Sequence, residues 1–327
     1  MTTKNSEKTL VVVQLTGGND FMNTIVPYTN SHYYDARKKI VLGQDDFLPI
    51  NDTLAINKNA APFKRMFDEG NMAIIQGIGY PNSNRSHFRG MDIWHTCEPD
   101  RVGSEGWLGL AVKEIDPSGG NVLTGVNIGQ GLPRAMAVPG VPVTSISDLE
   151  GYGVMKRLEQ EQLRNKALQA FKDIYGQAIG SGVVAEYIGK TGLDVLRGAD
   201  MLSEVAGNYN STVEYADNSI AKSLRDVARI HLSGLGTRIF YTNHGGYDTH
   251  ANEMPTHPKL ISDLSGAISD FVDDLEEHEA ADDIVILVFT EFGRRMRDNG
   301  SGTDHGSGGG AFIFGKNVKG GLYSEYP

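Results

Sequence analysis

The sequence predicts an α/β fold built on a mainly parallel central sheet, and three observations carry that reading. The run Ile284–Phe289 is six consecutive apolar residues set between Asp282-Asp283 and Thr290-Glu291. Ahead of it, Leu260, Leu264, Ile268, Phe271 and Leu275 recur at spacings of three and four. Before that stripe stands another mostly apolar run, Arg238–Thr242. A strand covered on both faces has no polar side, so it reads as a continuous apolar run rather than an alternating one. Strand, helix and strand in that order form the repeating unit of a parallel sheet.

The remaining elements follow in chain order. Leu10–Leu15 is the first strand and ends in Thr16-Gly17-Gly18. Met72–Ile75 and Val122–Ile128 are short apolar runs closed by glycine or polar turns, and read as further core strands. From about 150 to 210 the character changes. Leu158, Leu163, Ala167, Phe171 and Ile174 keep helical spacing, and the glycine-broken stretch 176–206 follows. We read 150–210 as a helical insertion within a single domain spanning 1–327. Ile220, Leu224, Val227 and His231 predict a helix over 218–235, and the stripe from Leu260 predicts one over 258–277, with Asp263, Asp270 and Asp274 opposite.

Composition removes several function classes. Thirty Lys and Arg against 41 Asp and Glu leave a net charge of −11, without a basic stripe to neutralise phosphates along a duplex, so nucleic acid is excluded as a partner. The longest apolar runs fall far below the roughly 18 residues of a membrane helix, so no membrane partner is expected. The N-terminal MTTKNSEKTLVVVQL has no cleavage-type leader, which makes a cytoplasmic location the expectation. Cys97 is alone, so an internal disulfide and a multi-thiolate zinc site are excluded. Any metal would be held by His, Asp and Glu.

Ligands of open parallel sheets sit beyond the carboxyl ends of the strands, and sharp polar motifs fall there. Gly17-Gly18-Asn19-Asp20 presents an acid after the first strand, as a ligand or as a turn cap. In Gly246-Tyr247-Asp248-Thr249-His250, an extended backbone points Asp248 and His250 to one side, where they can clamp a cation. Glu291 leaves the most apolar strand, and its carboxylate needs a cation or donors; Arg294 and Arg295 are the plain alternative partners. Gly302-Thr303-Asp304-His305-Gly306 adds Asp304 and His305 between glycines, or is a solvated loop. Converging carboxylates repel unless protonated or metal-bound, so a metal site explains the set economically.

Asn82-Ser83-Asn84-Arg85-Ser86-His87-Phe88-Arg89 precedes a helix running to about Thr96. Ser86 near its start is the candidate nucleophile, with Arg85, Arg89 and helix amides for an anionic group and His87 beside it in the catalytic set. A serine at that place equally serves as an N-cap. P-loop, G-x-S-x-G and H-E-x-x-H motifs are absent. His32, His95, His231, His257 and His278, Trp94 and Trp107 read as ordinary core or surface residues.

The motifs LVVVQLTGGND, RSHFRGMDIWHT, GTRIFYTNHGGYDTHANE, FTEFGRR and GSGTDHG, in that order, resemble a bacterial family of unknown function, DUF1501. That family belongs to the alkaline phosphatase-like superfamily, with sulfatases and phosphoglycerate mutases. The resemblance covers nearly the whole chain. It implies a three-layer α/β sandwich and an ordered site of first-strand acid, nucleophile at a helix start, Asp/His pair, late acid and C-terminal histidine. Asp20, Ser86, Asp248 with His250, Glu291 and His305 stand at those places. Where hydrolytic relatives carry Asp-His after the late strand, this chain has Glu291-Phe292, so a second metal would lose an imidazole ligand. Family members usually carry a twin-arginine export signal, whereas Met1–Thr9 has no arginine pair. They also continue past Gly320-Gly321 into a helical segment, so a truncated C-terminal edge is expected.

The expectation is therefore a metal-dependent hydrolase or transferase of phosphate or sulfate esters, acting on a small anionic ester. Zinc or manganese suits the donors best, with magnesium or calcium next. The alternative is a non-catalytic binding protein on the same fold, which Phe292 favours, and a third reading is a metal-free fold whose acids pair with Arg294, Arg295 and Arg297. The oligomeric state is not legible.

Overall fold

The computed structural model describes residues 8–150, 161–179, 182–203, 205 and 209–327. The chain opens with β1 (Thr9–Thr16), α1 (Phe21–Thr24), β2 (Ile25–Val26), α2 (Ser31–Ala36), β3 (Phe47–Pro49), β4 (Ala55–Asn57), α3 (Ala61–Asp68), β5 (Met72–Ile78) and α4 (His87–Thr96). Then come α5 (Trp107–Ile115), β6 (Gly125–Ile128), β7 (Thr144–Ile146), α6 (Glu161–Ala178), α7 (Val183–Ser203) and α8 (Ser219–Leu232). β8 (Ile239–Gly245), α9 (Glu253–Glu277), β9 (Ile284–Thr290), β10 (Arg294–Asp298), β11 (Thr303–His305), β12 (Gly309–Phe314) and β13 (Gly321–Tyr323) follow. The fold is α/β on a large, mainly parallel sheet. It divides into two compact units, one of residues 1–103, 211–225 and 241–327, the other of 104–210 and 226–240.

In the first unit six strands run in the order β13-β5-β12-β9-β1-β8. β1 and β9 are parallel from Thr9↔Ile284 to Leu15↔Thr290, and β13 is parallel to β5. β12 lies antiparallel to both of its neighbours. The β-branched residues Val11, Val12, Val13, Ile286 and Val288 are fully buried, each stabilising the fold by roughly 1.5–3 kcal/mol. α9 buries Ile261, Leu264, Ile268, Phe271 and Leu275. It starts at Glu253, five residues before the apolar stripe predicts, because its first turns bury the polar Glu253 and His257 instead of apolar side chains. The small sheet β2-β4-β3 and the antiparallel hairpin β10/β11 complete this unit. The hairpin replaces the solvated loop weighed for 302–306.

In the second unit β6 and β7 are parallel, from Val126↔Thr144 to Ile128↔Ile146. The strand expected from Val122 begins only at Gly125. Asn121 folds the preceding residues into a turn: its side chain accepts from Leu123 N at 2.9 Å and its carbonyl from Thr124 N at 3.1 Å. A side-chain turn of this kind competes with the sheet ladder. The described residues between 161 and 203 form α6 and α7. Tyr175 of α6 lies where a Cβ on Gly192 of α7 would stand, so the glycine lets the two helices meet. The helical stripe is only partly covered, with Leu163 and Ile174 exposed. Among the described residues, no helix is long and apolar enough to cross a membrane.

Candidate metal centre

The exits of β1, β8 and β9, the end of β11 and the start of α4 meet in the first unit. Gly17 and Gly18 have φ of +125° and +79°. A Cβ on Gly17 would overlap the backbone N of Asp248, and one on Gly18 would lie 2.7 Å from the Phe292 ring. Only glycine permits that approach. Tyr247 N donates to the Thr16 carbonyl at 3.1 Å, which fixes the β8 exit against β1.

Three imidazoles converge on the Asp248 carboxylate. His87 Nε2 is 3.4 Å from Oδ2, while His250 Nε2 and His305 Nε2 are 3.1 and 3.0 Å from Oδ1. Each ring is oriented from behind. His87 Nδ1 lies 2.8 Å from Glu291 Oε1, His250 Nδ1 3.3 Å from Asp304 Oδ1, and His305 Nδ1 2.9 Å from the Arg85 carbonyl. Carboxylates and carbonyls only accept, so each Nδ1 can donate to the group behind it; a neutral ring that does so presents an Nε2 lone pair, and a ring that also donates from Nε2 to Asp248 is the imidazolium.

That arrangement fits a metal. His87 Nε2 is buried and has no hydrogen-bond partner. One ligand atom from each of His87, Asp248 and His305 lies within 4.8 Å of the others; tetrahedral ligands at 2.0–2.1 Å from an ion stand about 3.4 Å apart. His250 Nε2 is 2.8 Å from His305 Nε2. When both rings carry their proton on Nδ1, two lone pairs face each other there, and a cation beside them removes the repulsion. A carboxylate behind a ligating histidine is the usual outer partner of such a site.

Asp248 stays ionised. Burial pushes its carboxyl up, but hydrogen bonds from Arg294 and His305 outweigh that and bring it to about 2. Arg294 is buried and acts as a clamp: its guanidinium donates to Asp248 Oδ1 at 2.6 Å, to the carbonyls of Gly18 and Thr303 at 2.7 and 2.8 Å, and to those of Gly17 and Tyr247. Glu291, with no exposed side-chain surface, also accepts from Gly17 N and the Thr290 hydroxyl, both at 2.9 Å. Phe292 packs its ring 4.9 Å from His87 and 4.7 Å from His305, centroid to centroid.

The family model for proteins of unknown function (DUF1501) matches residues 80–327. The chain belongs to this family. Among solved structures, this DUF1501 protein is similar to the alkaline phosphatase of the Antarctic bacterium TAB5, at 12% identity over 97% of this chain and 95% of that one, with a TM-score of 0.44. It is also similar to PsFucS1 sulfatase from Pseudoalteromonas sp., at 12% identity over 98% and 65% of the two chains, TM-score 0.40. BT1596, a 2-O GAG sulfatase, is similar at 9% identity over 96% and 65%, TM-score 0.40. No curated protein sequence matches the chain.

Of the residues singled out in the DUF1501 sequence, His87, Asp248, His250 and His305 come together, with Glu291 and Asp304 behind the rings. Ser86 is the N-cap residue of α4, but its side chain makes no capping bond. Arg85 adjoins it with φ +57° and is exposed. Arg89 is elsewhere: its guanidinium binds Asp92 and the carbonyls of Glu98 and Pro99 at 2.9 and 2.7 Å, fastening the end of α4 rather than facing an anion. The Glu291–Arg294 pairing weighed from sequence does not form, because Arg294 turns to Asp248 and His87 takes Glu291.

Asp20 is not presented to the crevice. Both of its oxygens are taken by Arg37, and the two side chains are 1% and 0% exposed. Burial alone would raise its carboxyl, yet Arg37 holds it well below the carboxylate range. Glu253 lies beside it, raised to about 9 by burial first and then by the Asp20 charge. Burial pushes His257 down to about 4. Arg37 and Glu253 were missed in the sequence. The two stand far apart in the chain; Arg37 lies in no motif, and Glu253 only closes GTRIFYTNHGGYDTHANE. Only a lone acid three residues after His250 hinted at Glu253.

Proposed function

We propose that this DUF1501 protein is a metal-dependent hydrolase or transferase of phosphate or sulfate esters, with a divalent ion held by His87, Asp248, His250 and His305. What carries the proposal is the buried, partnerless Nε2 of His87 facing Asp248. An imidazole-rich set with one carboxylate suits zinc first and manganese next, whereas magnesium and calcium prefer oxygen donors. Bound there, the ion supplies Lewis-acid charge beside the ester oxygens.

The chain's own residues supply the rest. Ser86 stands one residue before His87 with its hydroxyl free of a capping bond, and is our nucleophile. The first-turn N–H groups of α4 and the Arg85 guanidinium receive the anionic group. Glu291 and Asp304 keep the Nδ1 protons of His87 and His250, so both rings present Nε2 forward. Arg294 holds Asp248 in place.

A second reading, a non-catalytic binding protein, draws on Arg294 and Phe292. Arg294 already gives Asp248 a positive partner, and Phe292 packs its ring against two of the imidazoles. Elemental analysis of protein purified without tag or chelator separates the readings. We expect about one equivalent of metal in the wild type, lost in Asp248→Ala. Ser86→Ala should keep the metal and lose turnover on a phosphate and sulfate ester panel. Wild type without metal after incubation with excess zinc and manganese would overturn the hydrolase reading.

A further inference from the structure

We infer that the substrate carries a second anionic group, bound by Arg295 and Arg297 on the outer face of the β10/β11 hairpin; this rests on the ester chemistry proposed above.

In a chain with 41 Asp and Glu against 30 Lys and Arg, a guanidinium has carboxylates to choose from. Elsewhere the arginines find them: Arg65 with Asp273, Arg89 with Asp92, Arg101 with Glu98, Arg197 with Asp194. Among the described residues, the guanidiniums that make neither a hydrogen bond nor an ion pair belong to Arg85, Arg295 and Arg297. Arg85 and Arg295 adjoin the metal centre, and Arg297 follows two residues on in β10. The Arg85 carbonyl orients His305. Arg295 follows Arg294, which is paired with His305 across the hairpin, and lies close enough to Asp304 to act on its charge.

Strand geometry separates their tasks. Arg294 turns inward to the Gly17 and Gly18 carbonyls, while beyond it, where the hairpin register shifts before Asp298, Arg295 and Arg297 leave the buried side. Both are exposed. The acids nearby already have other donors: Asp298 accepts from Lys39 N at 2.8 Å and Gly300 N at 3.1 Å, and Asp304 accepts from His250 and from Asn299 at 3.3 Å. Two uncommitted positive charges beside an ester site, on a molecule of net charge −11, form a local attractor for anions. A planar guanidinium fork matches phosphate, sulfate or carboxylate. The substrate class is thus an ester bearing a further anionic group set back from the reacting one by two or three strand residues, about 7–10 Å.

The test is equilibrium binding by titration calorimetry at one low ionic strength, with butyl phosphate and butane-1,4-diyl bisphosphate as probes. It uses the wild type and the Arg295→Gln/Arg297→Gln variant, whose changes touch only exposed side chains. We expect the bisphosphate to bind the wild type about tenfold tighter than the monophosphate, and the variant to bring the two probes level. Equal affinities in the wild type, a gap that survives in the variant, or binding of neither probe would overturn the inference. Metal content on the same samples separates this from the ester reading: metal present without a gap removes the arginine arm alone. A gap without metal leaves the arm standing and removes the hydrolase.

Discussion

Arg37→Met tests the claim that Asp20 is part of the framework rather than of the metal shell. The Arg37 guanidinium has no exposed surface, takes both oxygens of Asp20, and donates to the carbonyls of Met296 and Arg295 at 3.1 and 3.2 Å. Methionine keeps most of the apolar stem and deletes the charge. Asp20 is then a buried carboxylate with Met22 N at 3.2 Å and the protonated Glu253 as its remaining donors. Removing one partner of a buried pair costs about 3–5 kcal/mol, because the other charge is left uncompensated. With 327 residues and an unfolding entropy of roughly 2.1 cal/mol/K per residue, Tm should fall by about 4–7 °C. Urea unfolding followed by circular dichroism measures the loss, and the double variant Asp20→Asn/Arg37→Met should lose less than Arg37→Met alone. The pH dependence should also change sign. In the wild type the lowered carboxyl contributes stability that is complete above the unfolded value near 3.9 and is lost as pH falls through the folded value. In Arg37→Met burial dominates and raises the carboxyl, so stability should rise on acidification toward about pH 4. A loss under about 1 kcal/mol, or a double variant as damaged as the single one, would refute the argument.

Three further outcomes are expected. Glu253, raised to about 9, holds a proton in the folded state that the unfolded chain releases near 4.3; its contribution is full below that value and falls as pH rises toward 9. Urea midpoints should therefore decline between about pH 5 and 9 in the wild type and flatten in Glu253→Gln. Glu291→Gln should weaken zinc binding by roughly 10–100-fold in competition with a chelator, since the Nδ1 proton of His87 loses its carboxylate partner; unchanged affinity would remove Glu291 from that role. Gly17→Ala should cost more than about 2 kcal/mol and reduce zinc binding, because a Cβ there strikes the backbone of Asp248. Gly70→Ala, also at positive φ but with nothing within 4 Å, should cost about 1–2 kcal/mol and leave the metal in place.

What was legible in the sequence was what periodicity and apolar runs encode. Ile284–Phe289 and Leu10–Leu15 read as doubly covered strands because nothing polar interrupts them, and they are neighbours in the sheet. Asp248, His250 and His305 were legible because glycines around them mark strand exits. The start of α9 was not, since Glu253 and His257 are polar residues buried against Asn23 and Thr24 and mimic a surface turn. Asp20 was misplaced for a related reason. An acid after a glycine turn looks identical whether its cation is a metal or an arginine 17 residues on. The outer-shell task of Glu291 was equally hidden, because the direction of a side chain behind an imidazole leaves no trace in spacing.

The place of β1 has a consequence for how the chain is made. TLVVVQLT is synthesised before both of its sheet neighbours and lies between β9 and β8, with Thr9 paired to Ile284. At 5–20 residues per second, its parallel partner is absent for on the order of 15–55 s. Until β8 and then β9 emerge, an uncharged, valine-rich segment without proline has open edges, the composition that pairs readily with copies of itself. Yield of native protein should accordingly depend on the crowding of nascent chains and on the chaperones that cover them, more than on the stability the finished molecule attains.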